Sequence, residues 1–503
     1  MKIPIKKMTI NITTSLRWPA MGLLLWGSAI AAEQTQPNVV VVLADDMGFG
    51  HVAMNLDLAT ADSYNPQNLK RDSARHTPSL AREYAQKATP MLTQLASEGV
   101  RFTNAYVPSP LCGPSRAALM TARYPQRFGV YNNADVKAAG VPVSENILAN
   151  NFRKAGYRTA AIGKWHLTKG NDKGTDELPQ HPLDRGFDYF FGFDRSGTPY
   201  YGSKILKKNR KPVKAEGYLT DQLTDHALEF INSDKEKPFF LYMAYNAVHG
   251  PLNKPAPKQY QQAFNSGDRY LDNFYAYLYA LDQGVAKIVR QLEKNGQLDN
   301  TIIMFLSDNG APGGKPFPLP ANAPFTGYKG QVWQGGTRVP VVIWGPEHLV
   351  KGGRVDESVI SSMDLLPTAL AATGASLPDN LDGKNLLPKL KQAKDDYRQL
   401  FWASQLSHHW GFIRDAKGKK IEDKSTAEPA WAVRSGNWML RYWADSQSTE
   451  LFDMTLDHGE RQDIANMHPA VVKQLTADYK VWFDTLAKPA GWQASYWERL
   501  RIK

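Results

Sequence analysis

Cys112 is the only cysteine in 503 residues. With no second thiol, the chain cannot close an intramolecular disulfide. Zinc-ligand spacing, a recognition helix and an RNA-binding signature are also absent, so nucleic acid is not an expected partner. No stretch beyond the N-terminus is long and apolar enough to cross a bilayer. Internal repeats and low-complexity tracts are missing, and 38 Gly and 32 Pro are too few for a long disordered region. What remains is an ordinary globular composition, 42% hydrophobic and 22% charged, long enough for two or more core-forming units or one large core with an appendage.

The first residues differ from the rest. Lys2, Lys6, Lys7 and Arg17 make a basic start, residues 21–26 (MGLLLW) a short apolar run, and Ala29-Ile30-Ala31 a small-residue cleavage region. This three-part pattern predicts a signal peptide over 1–31 and export to the periplasm or beyond, with an uncleaved anchor as the alternative. Once the leader is removed, no membrane association is expected. Formal net charge is +11, four of it in this leader, and a modest positive field favours anionic substrates. An exported chain normally avoids an idle thiol, which can oxidise or pair wrongly. A buried core cysteine is the plain reading of Cys112. Its Gly, Pro, Ser and Arg neighbours suit a chemical role better.

Apolar runs predict strands at 38–43, 101–107, 157–162, 239–245, 301–306 and 339–344. Helices are expected from Pro90 to Gly99, from Ser144 to Gly156, and over 220–231 and 271–292. Strands alternating with helices imply an α/β fold, a mostly parallel central sheet with helices on both faces. The sequence turns polar over 379–396, where a boundary is placed. Strand-like pieces at 431–433 and 438–442 and a helix over 469–486 follow. The expected organisation is an α/β domain over 32–390 carrying the active site, and a smaller C-terminal α+β subdomain over 391–503 with an antiparallel sheet and a helix.

Four of these strands end in chemically useful residues: Asp45-Asp46, Lys164 with His166, His249, and Asp308-Asn309. In a parallel sheet they converge beyond the carboxyl ends. Asp45, Asp46, Asp308 and Asn309 offer only oxygen ligands, which favour Ca²⁺ or Mg²⁺ over zinc or copper. Each pair alone reads more readily as a strand-end turn; together they point to a metal.

The segment 111–123 reads LCGPSRAALMTAR. Its Cys112-x-Pro114-Ser115-Arg116 core, continued by Leu119 and Thr121, resembles the signature of the type I, formylglycine-dependent sulfatases of the alkaline phosphatase-like superfamily, bacterial carbohydrate sulfatases among them. The likeness extends through Asp45-Asp46, Gly163-Lys164-Trp165-His166, His249, Ser307-Asp308-Asn309-Gly310, Gly327-Tyr328-Lys329-Gly330, Gly335 to Pro340, Ala432-Val433-Arg434 and Glu450 to Asp453. Two positions depart from the family pattern: Ala122 replaces a usual Gly, and Gln334 a usual acid. The resemblance implies that a maturation enzyme oxidises Cys112 to formylglycine. Its hydrate, a geminal diol, would attack sulfur with one activated hydroxyl, and loss of the other's proton would release sulfate. It further implies a metal site of Asp45, Asp46, Cys112, Asp308 and Asn309 holding calcium, with magnesium the alternative. Lys164 and Lys329 become sulfate clamps, Arg116 a holder of the modified side chain, His166 a base and His249 an acid, with Lys329 the alternative sharer of the acid role.

Sugar recognition is expected in loops. Residues 188–201, 253–268 and 405–410 are the rim candidates, with Arg195, Tyr200, Tyr201, His408, His409 and Trp410 the named side chains. The expected substrate is a sulfated oligo- or polysaccharide, preferably from an algal galactan such as carrageenan. Ulvan, fucan and glycosaminoglycans are further sources, and exo action on oligosaccharides is the expected mode. A phosphate or phosphonate ester hydrolase of the same superfamily and a non-catalytic polysaccharide-binding homologue are the alternatives.

Overall fold

The computed structural model describes residues 36–60, 77–170, 178–313, 318, 321–392, 398–404, 412–414, 420–422, 429–491 and 494–502. The expected leader, 1–31, and the rim candidates His408, His409 and Trp410 lie outside them.

The valine run has a simple cause. Strand β1 (Asn38–Ala44) is buried along its whole length because both sheet faces are covered. Val40, Val42 and Ala44 enter one hydrophobic core, and Val39, Val41 and Leu43 the other. At about 1.5–3 kcal/mol for each fully buried aliphatic side chain, such strands anchor the molecule. The other principal strands are β2 (Val100–Phe102), β3 (Arg158–Lys164), β4 (Tyr189–Phe193), β5 (Phe239–Ala244), β6 (Thr301–Ser307), β7 (Val341–Trp344) and β8 (Arg354–Asp356). Their order is β8-β2-β7-β6-β1-β5-β3-β4, extended by the short strands Lys207–Lys208 and Lys211–Pro212. Strands β6, β1, β5, β3 and β4 are mutually parallel, and β7 runs antiparallel between β2 and β6.

Helices α1 (Pro78–Ala88), α2 (Pro90–Glu98), α5 (Leu219–Ser233) and α6 (Arg269–Lys294) cover the first face. Helices α3 (Cys112–Thr121), α4 (Ala149–Lys154) and α7 (Leu365–Ala372) cover the second. Among the described residues no helix is long and apolar enough to cross a membrane.

The C-terminal region is an antiparallel meander, β9 (Gln399–Ser404), β10 (Ala430–Ser435), β11 (Trp438–Trp443) and β12 (Ser448–Asp453), in that order. Helix α8 (Pro469–Phe483) lies on it, with Tyr479 stacked on Trp431 at 4.2 Å. Ala118 of α3 belongs to this third core, so α3 is gripped on both sides and all ten of its residues are buried.

Two expected elements differ. The helix expected from Ser144 begins only at Ala149, because the Leu148 N–H is taken by the Met120 carbonyl at 2.8 Å. The expected strand 101–107 is broken: Val100–Phe102 stays in the large sheet, and Ala105–Tyr106 pairs with Ile360–Ser361. Ala122, where the family has Gly, caps α3 in the left-handed region at φ 54°, a conformation that costs alanine about 1 kcal/mol.

Gly163, the last residue but one of β3, stands at φ 109°, and a Cβ there would fall 1.8 Å from the Ala244 carbonyl oxygen on β5. Gly163→Ala should therefore cost about 3 kcal/mol or more in a urea melt. Gly156→Ala, at φ 88° in open space, should cost only about 1 kcal/mol. Equal losses would count against this account of β3 and β5.

Candidate active site

Four adjacent parallel strands, β6, β1, β5 and β3, open their carboxyl ends at one place. Register pairs Leu43 with both Leu306 and Ala244, and Gly163 with Ala244, so the following residues emerge level with one another. Asp45-Asp46, Lys164 with His166, His249 and Asp308-Asn309 come together as expected. Asp46 and His166 reach inward through left-handed backbones, φ 64° and 58°.

The chain arriving from β1 is pinned on both sides. Asp45 N donates to Ala247 O at 2.9 Å and Met47 N to Ser307 Oγ at 3.0 Å. Lys164 Nζ donates to Asp45 Oδ2 at 2.7 Å. Lys329, on the loop before the Gly335-Gly336 pair, donates to Asp46 Oδ1 at 2.5 Å. Arg116 of α3 donates through Nε to Asp308 Oδ2 at 2.9 Å and through Nη1 to the Lys164 carbonyl at 2.8 Å. The side chains of Asp45, Asp308, Arg116 and Lys164 have no solvent exposure, and those of Asp46 and Lys329 only 1%.

Burial opposes the charge on Asp45, but Lys164, His249 and Arg116 outweigh it and hold its carboxyl below the usual range. Burial opposes Asp46 as well, and Lys329 and His249 reverse it in the same sense. Asp308 goes the other way, pushed up by burial and by the charge of Asp45.

Cys112 is the first residue of α3 and is buried. Burial pushes its thiol up to about 11, against the pull of Lys164 and Lys329. An unmodified Cys112 is therefore a protonated thiol, a weak nucleophile. His166 stands beside it, with Cε1 3.5 Å from where a Cβ on Gly113 would be. Its Nδ1 has no hydrogen-bond partner, and burial together with Lys164 and Arg116 keeps the ring neutral. His249 is the partly open member, at 21% exposure, with Nε2 3.7 Å from Asp46 Oδ2. Its Nδ1 lies 2.6 Å from the Gly250 carbonyl, which can only accept. Nδ1 therefore carries a hydrogen, and Nε2 faces the cluster.

Asp45, Asp46, Cys112 and His249 each offer a ligand atom, all within 4.8 Å of one another. Two buried oxygens, Asp45 Oδ1 and Asn309 Oδ1, have no hydrogen-bond partner. Orphaned buried acceptors beside adjacent carboxylates fit a hard divalent cation. Asp45, Asp46, Asp308, Asn309 and the side chain at 112 would hold it.

The rim candidates divide. Arg195 is exposed, and Tyr201 is half-buried with its hydroxyl on the Pro255 carbonyl at 3.0 Å. Tyr200 is only 3% exposed and is not at a rim. Its hydroxyl lies 3.0 Å from the carbonyls of both Asn246 and His249 and supports the histidine loop. Sequence reasoning quoted Ser307 in its motif but gave it no role; it accepts from Met47 N and donates to the Asn309 carbonyl. Its place before Asp308 was the available signal.

Comparison with known proteins shows what the chain as a whole is similar to. A family model described as Sulfatase matches residues 37–375, and one described as N-sulphoglucosamine sulphohydrolase, C-terminal, matches 328–481. The uncharacterized sulfatase YdeN of Escherichia coli (strain K12) is 39% identical, over 90% of this chain and 86% of that protein. The N-acetylgalactosamine-6-sulfatase of Mus musculus is 33% identical, over 76% of this chain and 71% of its own length. The solved structure of Ps i-CgsB in complex with k-i-k-neocarrahexaose is 28% identical with TM-score 0.74, covering 92% of this chain and 97% of that one.

Calcium at about a hundred times its dissociation constant should stabilise the protein by about 2.7 kcal/mol. Asn309→Ala should remove most of that gain. Calorimetric melts with and without calcium read it, and an undiminished shift in the variant would exclude Asn309 from the site.

Proposed function

The chain belongs to the sulfatase family and is a sulfuric ester hydrolase acting on sulfated carbohydrate, and we propose that its substrate is an oligosaccharide from an algal polysaccharide such as carrageenan, cleaved with a formylglycine made from Cys112 and a calcium ion. One arrangement carries this reading. The only cysteine, at the first turn of a buried helix, stands among Lys164, Lys329 and Arg116 beside three strand-end carboxylates.

A formylglycine hydrate at position 112 would supply an attacking oxygen and a second hydroxyl that can lose its proton. A bound divalent cation supplies charge that eases ionisation of that oxygen and offsets charge on the sulfate. The remaining work belongs to the chain. Lys164 and Lys329 place two ammonium groups where sulfate oxygens gather charge. Arg116 fixes Asp308 and, through the Lys164 carbonyl, the end of β3. His249, protonated on Nε2, donates that proton to the departing alcohol oxygen. Neutral His166, beside the nucleophile position, takes up the proton that must leave the second hydroxyl.

The complex of Ps i-CgsB with a neocarrahexaose supports the carrageenan assignment. The relatives named for N-acetylgalactosamine 6-sulfate keep a glycosaminoglycan source as the second reading. Export through the 1–31 leader and maturation by a formylglycine-generating enzyme complete the proposal.

The peptide containing Cys112, from protein made with an active maturation system, should show the mass of an aldehyde in place of the thiol. That protein should turn over an aryl sulfate far faster than an aryl phosphate, and Lys329→Ala should lower kcat/KM by about a hundredfold. A preference for phosphate, or an unmodified thiol in active enzyme, would overturn the mechanism. Sulfate should be released from neocarra-oligosaccharides faster than from chondroitin oligosaccharides, and from short chains faster than from intact polymer. The reverse order on either comparison would refute the substrate or the exo mode.

A further inference from the structure

Lys329 is delivered by a loop that closes on itself, with Gly335 N donating to Thr326 O at 2.7 Å. Inside, Lys329 N donates to Ala311 O at 3.1 Å and Gly330 N to Pro110 O at 2.9 Å, two residues before Cys112. Both ends of the loop are held by three consecutive residues of the C-terminal region, His458, Gly459 and Glu460. Thr326 Oγ1 donates to the Gly459 carbonyl at the loop's start. At its end, Gln334 N donates to Glu460 Oε2 at 2.9 Å, and Gln334 Nε2 to the His458 carbonyl at 2.7 Å.

This clasp is itself built with buried charge. Glu460 is 4% exposed, stands at φ 53°, and is paired through Oε1 with Arg441, which has no exposure at all. The Arg441 guanidinium lies 3.4 Å from the centre of the Trp333 ring, next to Gln334. Gln334 Oε1 meanwhile accepts from Tyr106 at 2.8 Å and from Arg338 at 2.9 Å. Where the family usually carries an acid, this chain uses a neutral amide, and the negative charge at this junction comes from buried Glu460 and from Glu450, which accepts from Arg441 Nη1 at 3.2 Å. A buried ion pair holds its geometry tightly, because displacing either partner leaves the other charge uncompensated.

We infer that Glu460, through its pairing with Arg441 and its hold on Gln334, is a positioning residue that sets Lys329 against the sulfate group. This rests on the proposed sulfate-binding role of Lys329. The C-terminal region thus takes part in catalysis by holding a group that touches substrate.

A double-mutant cycle on matured full-length enzyme with an aryl sulfate tests it. Glu460→Gln and Thr326→Val should each lower kcat/KM about tenfold, the scale of a slight misplacement of a catalytic group. In a Lys329→Ala background each should change it less than about twofold. The calcium-induced thermal shift should be unchanged in both, which a general loosening of the site would not allow. Thr326 is half-buried and loses one hydrogen bond, so this variant carries the test if Glu460→Gln does not fold. Effects of full size in the Lys329→Ala background would overturn the inference while leaving the role of Lys329 intact. A Lys329→Ala variant with normal kcat/KM would overturn both.

Discussion

Three buried carboxylates, Asp45, Asp46 and Asp308, face three buried cations, Arg116, Lys164 and Lys329, and the surrounding structure is organised around keeping them together. Removing such groups from water costs several kcal/mol each, and removing one partner leaves its opposite uncompensated. No single element could supply that balance. Asp45 and Asp46 follow β1, Asp308 follows β6, Lys164 ends β3, Arg116 comes from α3 and Lys329 from a loop. The parallel sheet meets the requirement because adjacent strands end level, and its twofold burial sets the register by side-chain pattern.

Helix α3 is the piece that must not move. It carries Cys112 at its first turn and Arg116 one turn later, so the lone cysteine and a cation that pairs with Asp308 share one rigid body. The sheet-side core takes Ala117, Leu119 and Met120, and the C-terminal core takes Ala118. The two cores therefore act as jaws on this helix. The clasp at Lys329 repeats the pattern, with the C-terminal region again holding a piece of the site made by the rest of the chain.

Much of this was legible in the sequence, for physical reasons. A strand buried on both faces must be apolar throughout, so a run such as Val39 to Leu43 announces itself, and polar residues directly after it must lie at the sheet's edge. The residues less well read are those whose surroundings come from distant chain. Helix α3 shows no amphipathic period because every side is covered. Tyr200 reads as a loop aromatic, yet it is buried beneath the histidine loop. Thr103 and Asn104 interrupt an apolar run that periodicity alone would continue. Glu460 lies 126 residues from Gln334, and nothing local in either position signals that they meet.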